Sequence, residues 1–181
     1  VTADPRIESA VDEALVQAGI PVTSLDLNRW REALGATYSI MDAEAAVADH
    51  WLLEEPARRR LGGQVRERLT EAAKVTREQA GAGRAFQHSW QQALAQLFQV
   101  ADLLAMPTTI TFAPPLAEAT TVAHTRCTAP VNLAGLPALA LPVPAAHSLP
   151  ASLQLIGPPG SEELLLATGA VIEAAVAGRH P

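Results

Sequence analysis

Apolar residues recur with helical spacing along the first hundred positions and in short unbroken runs along the last eighty. Ile7, Ala10, Val11, Ala14, Leu15 and Ala18 keep the i, i+3, i+4 rhythm of one helix face. Asp4 can cap that helix, Pro5 suits its first position and Gly19 supplies its stop. Residues 20–27 then read as a short strand, so helix and strand together form half of an α/β unit. A helix is predicted over 28–51, with Trp30, Leu34, Ile40, Ala45 and Val47 among its apolar positions. Gly35, Thr37 and Tyr38 are weak helix formers in its middle. Two more helices are predicted over 64–80 and 84–100, the latter with Phe86, Trp90, Leu94, Leu97 and Phe98 on one face. Pro56, Gly62, Gly63 and the glycines at 81 and 83 punctuate this half.

The second half looks different because charge almost disappears. Between 103 and 159 the chain carries one acid, Glu118, and one base, Arg126, together with ten of its fourteen prolines. Charged side chains dominate ordinary surfaces, so a run this long without them is expected to be largely covered by protein. Three apolar runs, at 102–106, 138–143 and 152–157, read as buried strands. Ser161 is placed to cap a last helix with Glu162 and Glu163 in its first turn. Leu164, Leu165, Thr168, Val171, Ile172 and Ala175 are expected to face inward, and Gly178 to end the helix. The fold class expected is α/β, as a single partial domain over 1–181. Residues 1–101 form a mainly helical layer with one short strand, and 102–181 form buried strands, Pro/Gly turns and a closing helix. The remainder of a 181-residue chain is small for covering so much apolar surface. The expectation is therefore that the chain is part of something larger and, by itself, self-associates.

Composition narrows the function classes. Net charge is −6 with no basic stripe, which argues against a nucleic-acid partner. Arg58, Arg59 and Arg60 cluster on an acid-flanked segment and read as a solvated face. No apolar run is long enough to cross a bilayer and the N-terminus shows no signal-peptide pattern, so the expected location is cytoplasmic, with no membrane partner. Cys127 is the single cysteine, which fits a reducing compartment and excludes an intrachain disulfide.

Candidate chemistry within the chain is sparse. There is no Gly-x-Ser-x-Gly elbow, and no serine lies three residues before the single lysine, Lys74. The histidines His50, His88, His124, His147 and His180 have no metal-ligand spacing, so no metal site is expected. His124, Arg126 and Cys127 lie close together in the charge-poor stretch, where His124 with Cys127 has the elements of a thiol nucleophile in a loop of no set geometry. The run Gly157, Pro158, Pro159, Gly160 lacks amide donors for a phosphate and reads as a turn. No organic cofactor is indicated.

Three strings in the last eighty residues carry a resemblance: Asp-Leu-Leu-Ala-Met-Pro-Thr from Asp102, Thr-Ala-Pro-Val-Asn-Leu-Ala-Gly-Leu-Pro-Ala from Thr128, and Leu-Pro-Ala-Ser-Leu-Gln-Leu-Ile-Gly from Leu149. In this order, with a closing helix, they resemble the C-terminal part of the amidase-signature family of amide hydrolases. The first hundred residues match it more loosely, through Asp4 and Pro5 opening a helix, Gly19 closing it and the lead-in from Phe98 to Leu104. The resemblance implies a mixed sheet flanked by helices and acyl transfer by a serine activated through a second serine and a lysine. It places all three in a Gly/Ser-rich region upstream of Val1, so no catalytic residue is assigned here. It implies a small amide as substrate only when that upstream part is present, and an inactive chain otherwise. Thr108, Thr109 and Asn132 lie near strand ends or turns and are the candidate substrate-pocket residues. Pro130, Gly135 and Pro137 are expected to make a rigid turn that aims the next strand.

Overall fold

The computed structural model describes residues 2–118, 125–146 and 149–177. Helix α1 (Pro5–Gln17) begins as expected, with the Asp4 carboxylate accepting from the Arg6 amide and Pro5 in the first turn. It ends at Gly19, whose φ of 67° lets the Ile20 amide return to the Leu15 carbonyl. Helix α2 (Trp30–Asp49) runs unbroken through Gly35 and passes into a 3-10 turn at His50–Leu53. Helices α3 (Gly63–Ala72) and α4 (Arg77–Leu97) follow, then strand β1 (Leu104–Pro107), the short helix α5 (Ala129–Ala134), strands β2 (Ala138–Val143) and β3 (Ala151–Ile156), and helix α6 (Glu162–Ala177).

The strands form one sheet in the order β1-β3-β2, both pairings antiparallel. The register sets Leu104 opposite Ile156 and Ala138 opposite Ile156, so β3 lies between two partners. Helices α1 and α6 cover one face, where Ile7, Val11, Leu153, Leu155 and Ile172 are buried together. Helices α2, α4 and α5 lie on the other side, around Trp30, Trp90, Ile40, Leu94 and Ile156. The expected α/β class, helices around a small sheet, is the fold observed.

Several expectations need correction. Residues 20–27 form no strand; they are irregular and mostly exposed, because no described strand lies alongside to complete a ladder. The boundary between the two middle helices falls at 73–76, not 81–83. Thr76 and Gln79 form a reciprocal capping box, which starts α4 seven residues earlier than expected. Gly83 then lies inside α4, where a Cβ would meet Ile40 Cγ1 at 3.1 Å; this glycine is a close-packing residue between α2 and α4 and not a break. Val47 lies on the outer side of α2 and is 87% exposed. The turn expected around Asn132 is a six-residue helix, closed by Gly135 at φ 71°. In α6 the buried stripe is Leu165, Gly169, Ile172 and Val176, while Leu164 and Val171 face outward. That helix is apolar on nearly every side, so periodicity could not choose its inner face. Ser161 stands before α6, but its hydroxyl donates to the Pro158 carbonyl and accepts from no described first-turn amide. Gly178, the expected stop, lies outside the described residues.

Candidate functional site

The loop and helix from 125 to 134 roof part of the sheet, and their backbone is held from three directions. From α2, the Trp30 indole N–H donates to the Arg126 carbonyl at 2.8 Å, and the Thr37 hydroxyl sits between the Ala33 and Ala129 carbonyls. Tyr38 shares a 2.6 Å hydrogen bond with Thr125. From α4, Trp90 donates to the Pro130 carbonyl, Gln87 to Leu133 and Gln91 to Ala134. From β3, the buried Gln154 amide donates to the Cys127 carbonyl at 3.2 Å. A helix of six residues leaves most of its carbonyls without intrahelical partners, and here side chains of its neighbours take them. The tryptophans are also packed edge to face, 5.7 Å between ring centroids.

The consequence concerns Asn132. Ala129, Pro130, Val131, Leu133 and Ala134 are buried against α2 and α4, so Asn132 is the one residue of α5 that faces out. Its side-chain amide makes no hydrogen bond to a described residue. The structure thus presents this candidate on a fixed, fully anchored platform.

Thr108 and Thr109 lie together at the end of β1. The Thr108 amide donates to the Ser152 carbonyl at 2.8 Å and its Oγ1 pairs with Ser152 Oγ at 2.8 Å. Thr109 donates to the Thr111 carbonyl and lines a cleft of about 340 Å³ with Thr111, Phe112, Ser152 and Ile7. Two of the three sequence candidates are therefore neighbours at one strand end, and Asn132 stands apart on α5. Sequence reasoning missed Ser152 and Thr111. Pro107 lies opposite Leu153 in the ladder, and only the continuation of that register brings Ser152 to Thr108.

These groups can hold a ligand by hydrogen bonds, and among the described residues the hydroxyls of Thr108, Thr109 and Ser152 are bonded only to one another or to a backbone carbonyl. The hydroxyls of Ser39, Ser89 and Ser161 are each bonded to backbone carbonyls, and Ser9 to Glu13. Lys74 is exposed and paired with Glu71 at 2.6 Å. Cys127 is buried, and its desolvation pushes the thiol pKa up, away from the thiolate a nucleophile needs. Arg126 is exposed beside it, while His124 lies outside the described residues, as do His147, His180 and Ser148. Among the described residues no three His, Cys, Asp or Glu side chains gather as metal ligands, and no helix is long and apolar enough to cross a membrane.

Comparison with known proteins agrees with this architecture. The family model described as Amidase matches residues 1–166. A glutamyl-tRNA(Gln) amidotransferase subunit of Chloroflexus aurantiacus is 43% identical over 79 residues, which cover 41% of this chain and 16% of that protein. The same subunit of Moorella thermoacetica is 46% identical over 74 residues, or 38% of this chain and 15% of its own. A solved amidase structure superposes on 96% of the chain with a TM-score of 0.86 and 24% identity, and the match covers 43% of that protein. The allophanate hydrolase of Kluyveromyces lactis gives a TM-score of 0.81 at 24% identity, over 97% of this chain and 30% of its own. The chain thus spans well under half the length of the proteins it resembles.

Proposed function

The chain belongs to the amidase family, and from that premise we propose that it forms the sheet and one pocket wall of an amide-hydrolysing enzyme whose acyl-serine chemistry comes from polypeptide outside residues 1–181. The observation that carries this reading is the near-complete superposition of the chain on less than half of an amidase. What the chain contributes is a rigid frame. The roof at 125–134 fixes Asn132, and the β1–β3 ladder fixes Thr108 and Thr109 beside Ser152. Thr108, Thr109 and Asn132 are the proposed wall, donating and accepting hydrogen bonds to a small amide. Lys74 in an exposed ion pair and serines tied to carbonyls support the view that no attacking group lies in this frame. The frame is one partial domain, 1–101 mainly helical and 102–181 carrying the sheet and closing helix, acting in the cytoplasm without cofactor or metal.

The purified chain, mixed with simple carboxamides or with a serine-reactive phosphonate, is expected to give neither turnover nor a labelled peptide. Turnover, or a phosphonate adduct on any serine of this chain, overturns the reading.

A second reading is favoured by one feature. Strand β2 leaves an edge without a described partner. A non-catalytic module using that edge for self-assembly would show the same inactivity, and would differ by associating with itself.

A further inference from the structure

The connection between α2 and α3 is held by local bonds. No residue from 41 to 68 is buried, whereas Ile40 before this stretch and Leu69 after it are. A second 3-10 turn, Ala57–Arg60, follows the one at His50–Leu53, and neither buries a side chain. The amides of Glu54, Arg58, Arg59 and Leu61 each donate to a carbonyl three or four residues back. The Leu61 carbonyl accepts from the Arg66 guanidinium, near the start of α3. Opening this connection therefore breaks no described hydrogen bond to the sheet, to α4 or to α5, and segments held only locally open at the lowest cost in free energy.

Arg58, Arg59 and Arg60 stand in the middle of it, all exposed. Arg59 pairs with Glu55 at 2.9 Å on the surface, and among the described residues Arg58 and Arg60 make no ion pair. The basic residues of other connections are tied down. The Arg29 guanidinium bonds Glu32 and lies 4.5 Å from the centre of the Phe86 ring, and Trp30 after it is buried. At Arg126 the carbonyl that an endopeptidase would attack is held by the Trp30 indole, and Cys127 after it is buried. Lys74 is paired with Glu71, and the reciprocal cap of Thr76 and Gln79 begins α4 just beyond it.

We propose that Arg58–Arg60 is a limited-proteolysis site for an arginine-specific, trypsin-like endopeptidase, and that the cut chain persists as a two-piece frame. The protease adds water across a peptide bond such as Arg60–Leu61, leaving a carboxylate on Arg60 and an amine on Leu61, and nothing else is consumed. Exposed, locally bonded turns are where such nicks concentrate. The pieces stay together because both cores are built from the two of them. Ile7 and Val11 are buried with Leu153 and Ile172, and Trp30 is buried with Trp90. The Trp30–Arg126, Thr37–Ala129 and Tyr38–Thr125 hydrogen bonds also join one piece to the other. A cut at 58–60 breaks none of these.

The site goes beyond the proposed function and does not depend on it, since it concerns the covalent continuity of the chain and not its reaction. The full 181-residue chain is treated with a low dose of trypsin, and the products are read by intact mass and by size exclusion in native buffer and in urea. Cleavage after Arg58, Arg59 or Arg60 should be at least about tenfold faster than at any other site from Arg29 to Arg126. The two pieces should elute together at the volume of the uncut chain and part only in urea. Replacing all three arginines, Arg58→Gln with Arg59→Gln and Arg60→Gln, alters exposed side chains alone. That variant should keep the parent's urea midpoint and lose the fast cut. A first cut at Arg29, Lys74 or Arg126 overturns the proposal. So does a triple variant cut in the same stretch at the parent's rate, or a pair of pieces that separates in native buffer.

Discussion

Strands β2 and β3 are paired residue for residue, are equally long and are almost equally apolar, yet they live in different surroundings. In β3 five of the six residues are buried and the sixth, Ser152, is half-buried. In β2 only Val143 is buried, and Ala138, Ala140 and Pro142 lie open on one face. Both strands receive α1 and α6 on their odd-numbered face. The difference is on the even face, where the 125–134 roof reaches Gln154 but does not extend over Ala138, Ala140 and Pro142. An apolar run in a sequence says that a strand is compatible with burial; neighbours decide whether it is buried.

The contrast can be broken most forcefully at Leu153. It is fully buried between α1, α6 and the sheet, so Leu153→Ala should cost about 2–5 kcal/mol, read as a lowered urea midpoint at unchanged m-value. A loss under about 1 kcal/mol would mean that β3 is no better covered than β2. Next comes Gln154, the single polar residue buried in the strands and the anchor of the roof. Gln154→Leu keeps the volume but leaves the Cys127 carbonyl without its donor, and a buried unmade hydrogen bond costs about 1–3 kcal/mol. The corresponding change on the open face, Ala140→Thr, should stay within about 0.5 kcal/mol of the parent at a concentration where the chain is monomeric. A larger penalty would show that the even face of β2 is covered after all.

How much of this was legible beforehand follows the same division. Helix α1 was readable to the residue because cap, first-turn proline, periodic face and stop glycine all agree. Strand β2 was equally plain between its flanking prolines. Residues 20–27 carry strand-forming side chains, but a strand exists only with a partner, and sequence alone does not supply one. Gly83 was misleading because a glycine inside a helix can mark a break or a close approach, and only Ile40 on another helix distinguishes them. The candidate wall was half legible. Thr108, Thr109 and Asn132 could be placed at strand ends and turns. The clamp that makes Asn132 rigid depends on Trp30, Trp90, Gln87, Gln91 and Gln154, and only Gln154, a lone amide in an apolar run, left a local signal.

The smallest effect is one of pH, and it tests whether the roof stays closed. Cys127 lies beneath the even face of β3, its carbonyl bonded to Gln154 and its thiol buried. Burial disfavours the thiolate and holds the pKa above the ordinary value of 9.0. The folded state therefore keeps the proton more tightly than the unfolded chain. The resulting stability is fully present below pH 9 and is lost as pH rises from there toward the raised native value. Near neutrality the expected change is nil, so the readout is chemical. Iodoacetamide at pH 8 should leave Cys127 unmodified in the native chain and label it fully in urea, with Gln154→Leu falling between. Rapid native labelling at pH 8 would mean that the roof opens, and that β3, like β2, is covered on one side only.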